Sequence, residues 1–240
     1  MNTGKNNNFS IVIVTFDQRF EQYFVPLLKE IKKQRKDIEV LVQVNGPYLE
    51  KYDQAYRKNI LNFCAEYANV YPQTYTRFTS LSKMWNTGIQ NSSNNNVLVL
   101  GDDILIKEGF FDWIERQAQQ TPCNECATIN RIFAHFMINR DMLADINWFE
   151  ERLLGIGWED FDIVRHKQEF KNWDTNKIVS MHNLNLEEPS QKKILGHLKY
   201  TEFNRVFYEQ KWKSKTAKPE RQQYPYYKWT QENYSKMEKK

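Results

Sequence analysis

"FSIVIVTF", residues 9–16, is the stretch that decides the fold. Its apolar residues run continuously and are mostly β-branched, which is the pattern of a strand buried on both faces. Beyond it, Phe20, Phe24, Leu27, Leu28 and Ile31 recur at helical spacing over "QRFEQYFVPLLKEIKKQ", residues 18–34. "DIEVLVQVNG", residues 37–46, then supplies a second buried strand that ends in a turn. Strand, helix and strand in this order form a βαβ unit, so the sheet is parallel with a right-handed crossover.

The alternation continues outward from that unit. "EKYDQAYRKNILNFCAEY", residues 50–67, puts Tyr52, Ala55, Tyr56, Ile60 and Phe63 on one helical face. "SLSKMWNTGIQN", residues 80–91, predicts a short helix with Ser80 as its N-cap. The polar "NSSNNN" reads as the turn before a third strand, "VLVLGDD", residues 97–103, and "FFDWIERQAQ" follows as a helix. From there the regularity weakens: "CATIN", "FAHFMI" and "KIVSMH" read as strands, separated by a helix after Trp158. The expected architecture is one α/β domain whose Rossmann-like parallel sheet becomes mixed in its second half.

Composition agrees with such a domain. Hydrophobic residues make up 40% of the 240 and aromatics 15%, enough for a substantial core, while a mean hydropathy of −0.77 points to a wet surface. No run of about 18 apolar residues is present, so no membrane-crossing helix is expected. "MNTGKNNNFS" lacks the apolar stretch of a signal peptide, and the expectation is a soluble, cytoplasmic protein. From Lys213 to Lys240 eight Lys and Arg face three Glu, which leaves the rest of the chain near neutral. We therefore expect a domain over residues 1–212 and a basic, aromatic extension over 213–240. That extension, with its "YPYYKW", is suited to peripheral contact with an anionic membrane or to packing on the domain. The balanced body argues against a nucleic-acid binder. Cys123 and Cys126 have C-x-x-C spacing, but no second pair completes a zinc site, so these and Cys64 are expected as reduced thiols.

Three stretches carry chemistry. In "LVLGDD" four residues of apolar strand and turn place Asp102 and Asp103 at the carboxyl edge of a parallel strand, where open α/β sheets bind ligands. Adjacent carboxylates there suit a hard divalent cation, and equally suit a solvated turn. His182, after another strand-like run, is a second ligand for such a cation or a structural histidine. His135, inside the apolar "FAHFM", reads as core or as support for the site. In "GIGWEDFDIVRH", residues 155–166, glycines lead to an aromatic and two acids at a helix start. Helix-dipole chemistry accounts for acids in a first turn, but not for the flanking glycines and tryptophan.

Taken in order, "SIVIVTF", "VLVQVNG", "LSKMWNTGI", "VLVLGDD", "INRDML", "WFEE", "GIGWEDFDIVRH" and "MHNLN" resemble the family 2 glycosyltransferases of the GT-A fold, over about residues 9–185. The resemblance implies an inverting, metal-dependent transferase. It would move a hexosyl or N-acetylhexosaminyl group from a nucleoside diphosphate, UDP, to a glycan, lipid-linked or protein acceptor. It implies that Thr15, Phe16, Asn45, Lys83, Asn86 and Asp102 face the nucleotide. Asp103 and His182 would hold Mn²⁺ or Mg²⁺, Trp158 and Glu159 the acceptor, and Asp160 would be the base. Two positions depart from the family's pattern. Gly101 stands where D-x-D has its first Asp, and Asn45 where the second strand ends in Asp. These departures motivate an alternative, a catalytically silent nucleotide- or sugar-binding module on the same fold. A nucleotidyltransferase is disfavoured, because "VTFDQRF" contains no glycine for a phosphate loop.

Overall fold

The computed structural model describes residues 9–16, 19–46, 53–120, 126–166, 170–180 and 196–213. His182, Cys123, Tyr52 and the extension beyond Lys213 lie outside them. Strands β1 (Ser10–Thr15), β2 (Val40–Val44), β3 (Val70–Thr74) and β4 (Asn96–Gly101) pair parallel in the order β3-β2-β1-β4. Beyond β4 the sheet continues through β7 (Ile132–Asn139), β6 (Ala127–Ile129) and β8 (Lys171–Trp173), with β7 antiparallel to both β4 and β6. A separate antiparallel pair joins β5 (Ile104–Ile106) to β9 (Ile178–Ser180). The expected change from parallel to mixed thus falls between β4 and β7.

The continuous apolar strands serve two cores, one on each face. Ile11 and Ile13 of β1 pack with Val40 and Val42 of β2 against α1 (Val25–Gln34), α2 (Gln54–Ala65) and α4 (Phe110–Gln120). Val12, Leu41, Val97 and Val99 face the other way, with Trp85 and Ile89 of α3 (Leu81–Asn91), Leu143 of α5 (Arg140–Asp145) and Ile163 of α6 (Glu159–His166). Alternate residues of one strand therefore enter different layers, which is why no polar face shows in the sequence.

Local chemistry explains most boundaries. Ser80 caps α3 by accepting from the Lys83 N–H, as expected, and Asp53 caps α2 by accepting from the Ala55 N–H at 2.8 Å. The helix after β1 begins as a π-helical turn, Phe20–Phe24, in which the Val25 N–H bonds the Phe20 carbonyl. Pro26 has no N–H for the preceding turn, and the wider turn absorbs that loss. The expected apolar face of α2 is shifted: Ala55 is exposed, while Ile60 and Cys64 are buried. β3 was not anticipated, because Pro72 interrupts it; it is tolerated on an edge strand that needs bonds on one side only. The last described element, α7 (Gly196–Lys211), was likewise unexpected. Cys64 and Cys126 are buried thiols, the first with its pKa pushed up to about 12 by burial and the second donating to the Met137 carbonyl.

Candidate active site

Because β1 to β4 run parallel, Thr15 and Phe16, Asn45, and Asp102 and Asp103 all emerge at one edge of the sheet. β7 runs the other way and so begins at that edge, which brings His135 beside the end of β4. The Gly101 N–H donates to His135 Nδ1 at 3.1 Å. Burial lowers the pKa of this histidine, with Asp103 opposing, so the ring is neutral and its Nδ1 is an acceptor. A Cβ on Gly101 would sit 3.0 Å from both Asp103 Oδ1 and His135 Cε1. The first acid of the D-x-D pattern would therefore need the His135 ring or the Asp103 carboxylate to give way.

Asp102 is 1% exposed and its pKa is pushed up to about 6, by burial first, with Arg19 opposing and Asp103 reinforcing. The Thr15 hydroxyl also favours its charged form, although among the described residues neither Thr15 Oγ1 nor Asp102 Oδ2 completes a hydrogen bond of good geometry. Arg19 spans the acid pair. Its Nη1 donates to Asp102 Oδ1 at 2.6 Å and its Nη2 to Asp103 Oδ2 at 3.0 Å. The guanidinium carbon lies 5.5 Å from the centre of the Phe16 ring and 5.3 Å from that of Tyr23. Sequence reasoning passed over Arg19, since nothing local in "FDQRF" shows that its partners lie more than eighty residues away.

Two residues expected at the nucleotide have their amides engaged within the fold. Asn45 accepts from the Gly46 and Thr79 N–H groups and donates to the Thr79 carbonyl at 3.0 Å. An aspartate could not make that last bond, which accounts for Asn at this position. Asn86 donates to the Phe149 carbonyl and Glu151 Oε1 and accepts from the Phe149 N–H. It ties α3 to the "WFEE" segment instead of facing the strand edge. Lys83 is half-buried; burial lowers its pKa and the neighbouring Glu151 opposes.

The loop that leads into the second acid cluster is bonded to the start of α3. Thr79, held by Asn45, leads into Ser80 and Leu81, and the Leu81 N–H donates to the Gly155 carbonyl at 2.8 Å. The loop that opens α6 therefore sits against the carboxyl side of β2. Gly155, Gly157 and Trp158 have φ of +60°, +115° and +77°, so this loop is wound through left-handed backbone that glycine tolerates and tryptophan does not favour. Trp158 is half-buried, its ring 5.0 Å from Phe161 and 5.2 Å from Tyr208. Glu159 folds back to accept from the Gly157 N–H at 2.7 Å, leaving Oε1 buried and unbonded among the described residues. Burial lifts its pKa to about 8, so at neutral pH it is a protonated acid. Asp160 is half-buried, and among the described residues no hydrogen bond or ion pair ties it down.

α7 locks this cluster. Asn204 is fully buried; it accepts from the Leu154 N–H and donates to the carbonyls of Leu154 and Gly157. Lys211 lies between Glu150 Oε2 at 2.9 Å and Asp162 Oδ2 at 2.8 Å, and the Trp212 indole N–H donates to Asp162.

No protein-family model and no curated protein sequence matches this chain. Solved structures do. S. aureus TarS, residues 1–349, superimposes with a TM-score of 0.55 at 15% identity, over 83% of this chain and 72% of that one. Its complex with UDP gives 0.54 at 16% over the same shares. GalNAc-T7 with UDP, GalNAc and Mn²⁺ gives 0.60 at 10% identity, over 88% of this chain and 49% of that one. At such identities the likeness shows the fold alone. The chain has a GT-A-type fold. The sheet order and the single α/β domain agree with it.

Proposed function

We propose that this GT-A-type chain is a glycosyltransferase that moves a sugar from a UDP-linked donor to a hydroxyl acceptor. The observation that supports the reading is that Asp102–Asp103 end β4 at the carboxyl edge of the sheet, while the loop leading into Glu159–Asp160 is bonded at Gly155 to Leu81, two residues after the Thr79 that Asn45 holds at the end of β2. The similar structures support the donor class, since TarS is solved with UDP and with UDP-GlcNAc.

In this reading Thr15 and Phe16 border the nucleotide beside Asp102. Asp160, half-buried in the first turn of α6, takes the acceptor's proton, a role that requires reach before any special pKa. The acceptor oxygen bonds to the anomeric carbon, the bond from that carbon to the diphosphate oxygen breaks, and UDP leaves with the electron pair. Attack from the side opposite the leaving group inverts the anomeric centre. Glu159, held neutral, donates a hydrogen bond to an acceptor oxygen, and Trp158 offers its ring to a sugar face. The acceptor is a glycan, a lipid-linked sugar or a protein.

The expected divalent cation meets a competitor at the described part of its site: Asp102 and Asp103 each already give a carboxylate oxygen to Arg19. The second expected ligand, His182, lies outside the described residues. The test of the reading is Asp160→Asn. Transfer from UDP-sugars should be lost while UDP affinity, read by calorimetry, stays within about twofold, because Asp160 contacts the acceptor and not the nucleotide. Full activity in this variant would remove Asp160 from the chemistry.

A further inference from the structure

We infer that Arg19 is the resident counter-cation of the Asp102–Asp103 pair and keeps a divalent metal out of that position. Two adjacent carboxylates, one of them 1% exposed, need positive charge close by, and a protein supplies it either as a captured ion or as a fixed side chain. Here the side chain is in place. One guanidinium nitrogen bonds each carboxylate, at 2.6 Å and 3.0 Å, so a single planar group bridges both acids as a divalent ion would. Arg19 is itself 18% exposed, and its guanidinium lies near the rings of Phe16 and of the fully buried Tyr23. Those faces favour a weakly hydrated, delocalised cation and fix its position.

The room around the pair points the same way. Asp103 Oδ1 and the His135 ring crowd Gly101, so a third acid there, which could help a metal compete with the arginine, would need one of them to give way. A divalent ion drawn to the remaining carboxylate edges would approach a guanidinium of like charge. The inference rests on the proposed function only in taking these acids to border the donor. It makes that site one whose affinity for a nucleoside diphosphate is set without a divalent cation.

The test uses the full chain and two probes. Mn²⁺ alone is titrated into wild type, Asp103→Asn, Arg19→Gln and Arg19→Gln/Asp103→Asn, with free Mn²⁺ read by electron paramagnetic resonance. Wild type should show no Mn²⁺ site that Asp103→Asn abolishes. Arg19→Gln should gain one at least about tenfold tighter, and the double variant should lose it. UDP is then titrated into wild type in EDTA and in Mn²⁺, with affinities expected to agree within about twofold. A wild-type Mn²⁺ site lost in Asp103→Asn overturns the inference, as does a folded Arg19→Gln that gains none. Should Arg19→Gln fail to fold, the wild-type titrations decide: UDP affinity that rises tenfold with Mn²⁺ overturns it, and EDTA-insensitive binding with Mn²⁺ silence supports it. Failure to bind UDP under either condition would count against the proposed function, and the Mn²⁺ titrations would still decide the role of Arg19.

Discussion

Asn204, on the last described helix, bonds the Gly157 carbonyl at 2.9 Å, so a residue forty-seven positions downstream fixes the backbone that aims Trp158 and the acids after it. With its two further bonds to Leu154, this one amide satisfies three main-chain groups, two of them buried. Asn204→Leu removes all three partners at once. Each buried polar group left unsatisfied costs about 1–3 kcal/mol, so the variant should be destabilised by several kcal/mol, measurable by urea denaturation. In conditions where it remains folded, UDP affinity should hold and turnover should fall, because the bonds position the α6 loop and not the β1–β4 edge. Parallel loss of both would assign Asn204 a purely structural part.

Lys211 is the second point at which α7 grips the site. It is 6% exposed and sits between two carboxylates that are almost completely buried. Burial would raise the pKa of Glu150, but Arg152 and Lys211 hold it below the ordinary carboxylate value. Lys211→Met leaves Asp162 with the Trp212 indole and a His166 nitrogen 3.7 Å away. Breaking a buried ion pair on one side costs about 3–5 kcal/mol, and the thermal midpoint should fall accordingly. The double variant Lys211→Met/Asp162→Leu should recover part of that loss; no recovery would show that the lysine acts through packing alone.

What the sequence revealed follows the range of the interactions involved. β1, β2 and β4 are legible because burial on both faces writes a continuous apolar run into a few neighbouring residues, and the Ser80 cap because a cap is a contact over three positions. The acids of both clusters were visible as residues. Their surroundings were not: Arg19 meets Asp102 across eighty-three positions, and Asn204 meets Leu154 across fifty. α7 escaped notice because one of its most buried positions is the polar Asn204, which breaks the apolar periodicity, and β3 because Pro72 lies within it. Asn45 and Asn86 show the same limit from the other side. A motif gives the residue type, but whether an amide faces a ligand or a carbonyl depends on chain that arrives from elsewhere.

The two departures from the family pattern yield a test against intuition. Introducing the acids of that pattern should harm this chain. Asn45→Asp loses the donor to the Thr79 carbonyl and sets a carboxylate against that oxygen. Gly101→Asp places a side chain 3.0 Å from Asp103 Oδ1 and from the His135 ring. Overpacking of this kind costs about 1–3 kcal/mol, with charge repulsion added. Both variants should melt at lower temperature than wild type and bind UDP no more tightly. An Asn45→Asp protein of unchanged stability would mean that the Thr79 loop is not held by this amide.

Glu159 makes stability depend on pH in a direction that can be worked out. Its ordinary pKa is 4.5, and burial, reinforced by Asp160, raises it to about 8 in the fold, against hydrogen bonds from its own N–H and that of Gly157. Between those values the folded protein holds a proton that the unfolded chain has released. Stability from this group is therefore fully present below about pH 4.5 and is lost as pH rises through about 8. Glu159→Gln keeps the shape and an acceptor for the Gly157 N–H but cannot ionise. The difference in unfolding free energy, variant minus wild type, should grow by at least about 1 kcal/mol from pH 5 to pH 9, and urea melts at pH 5, 7 and 9 would measure it. A difference that stays flat would mean that the carboxyl reaches solvent and titrates near its ordinary value, which would also remove it as a neutral donor to an acceptor oxygen.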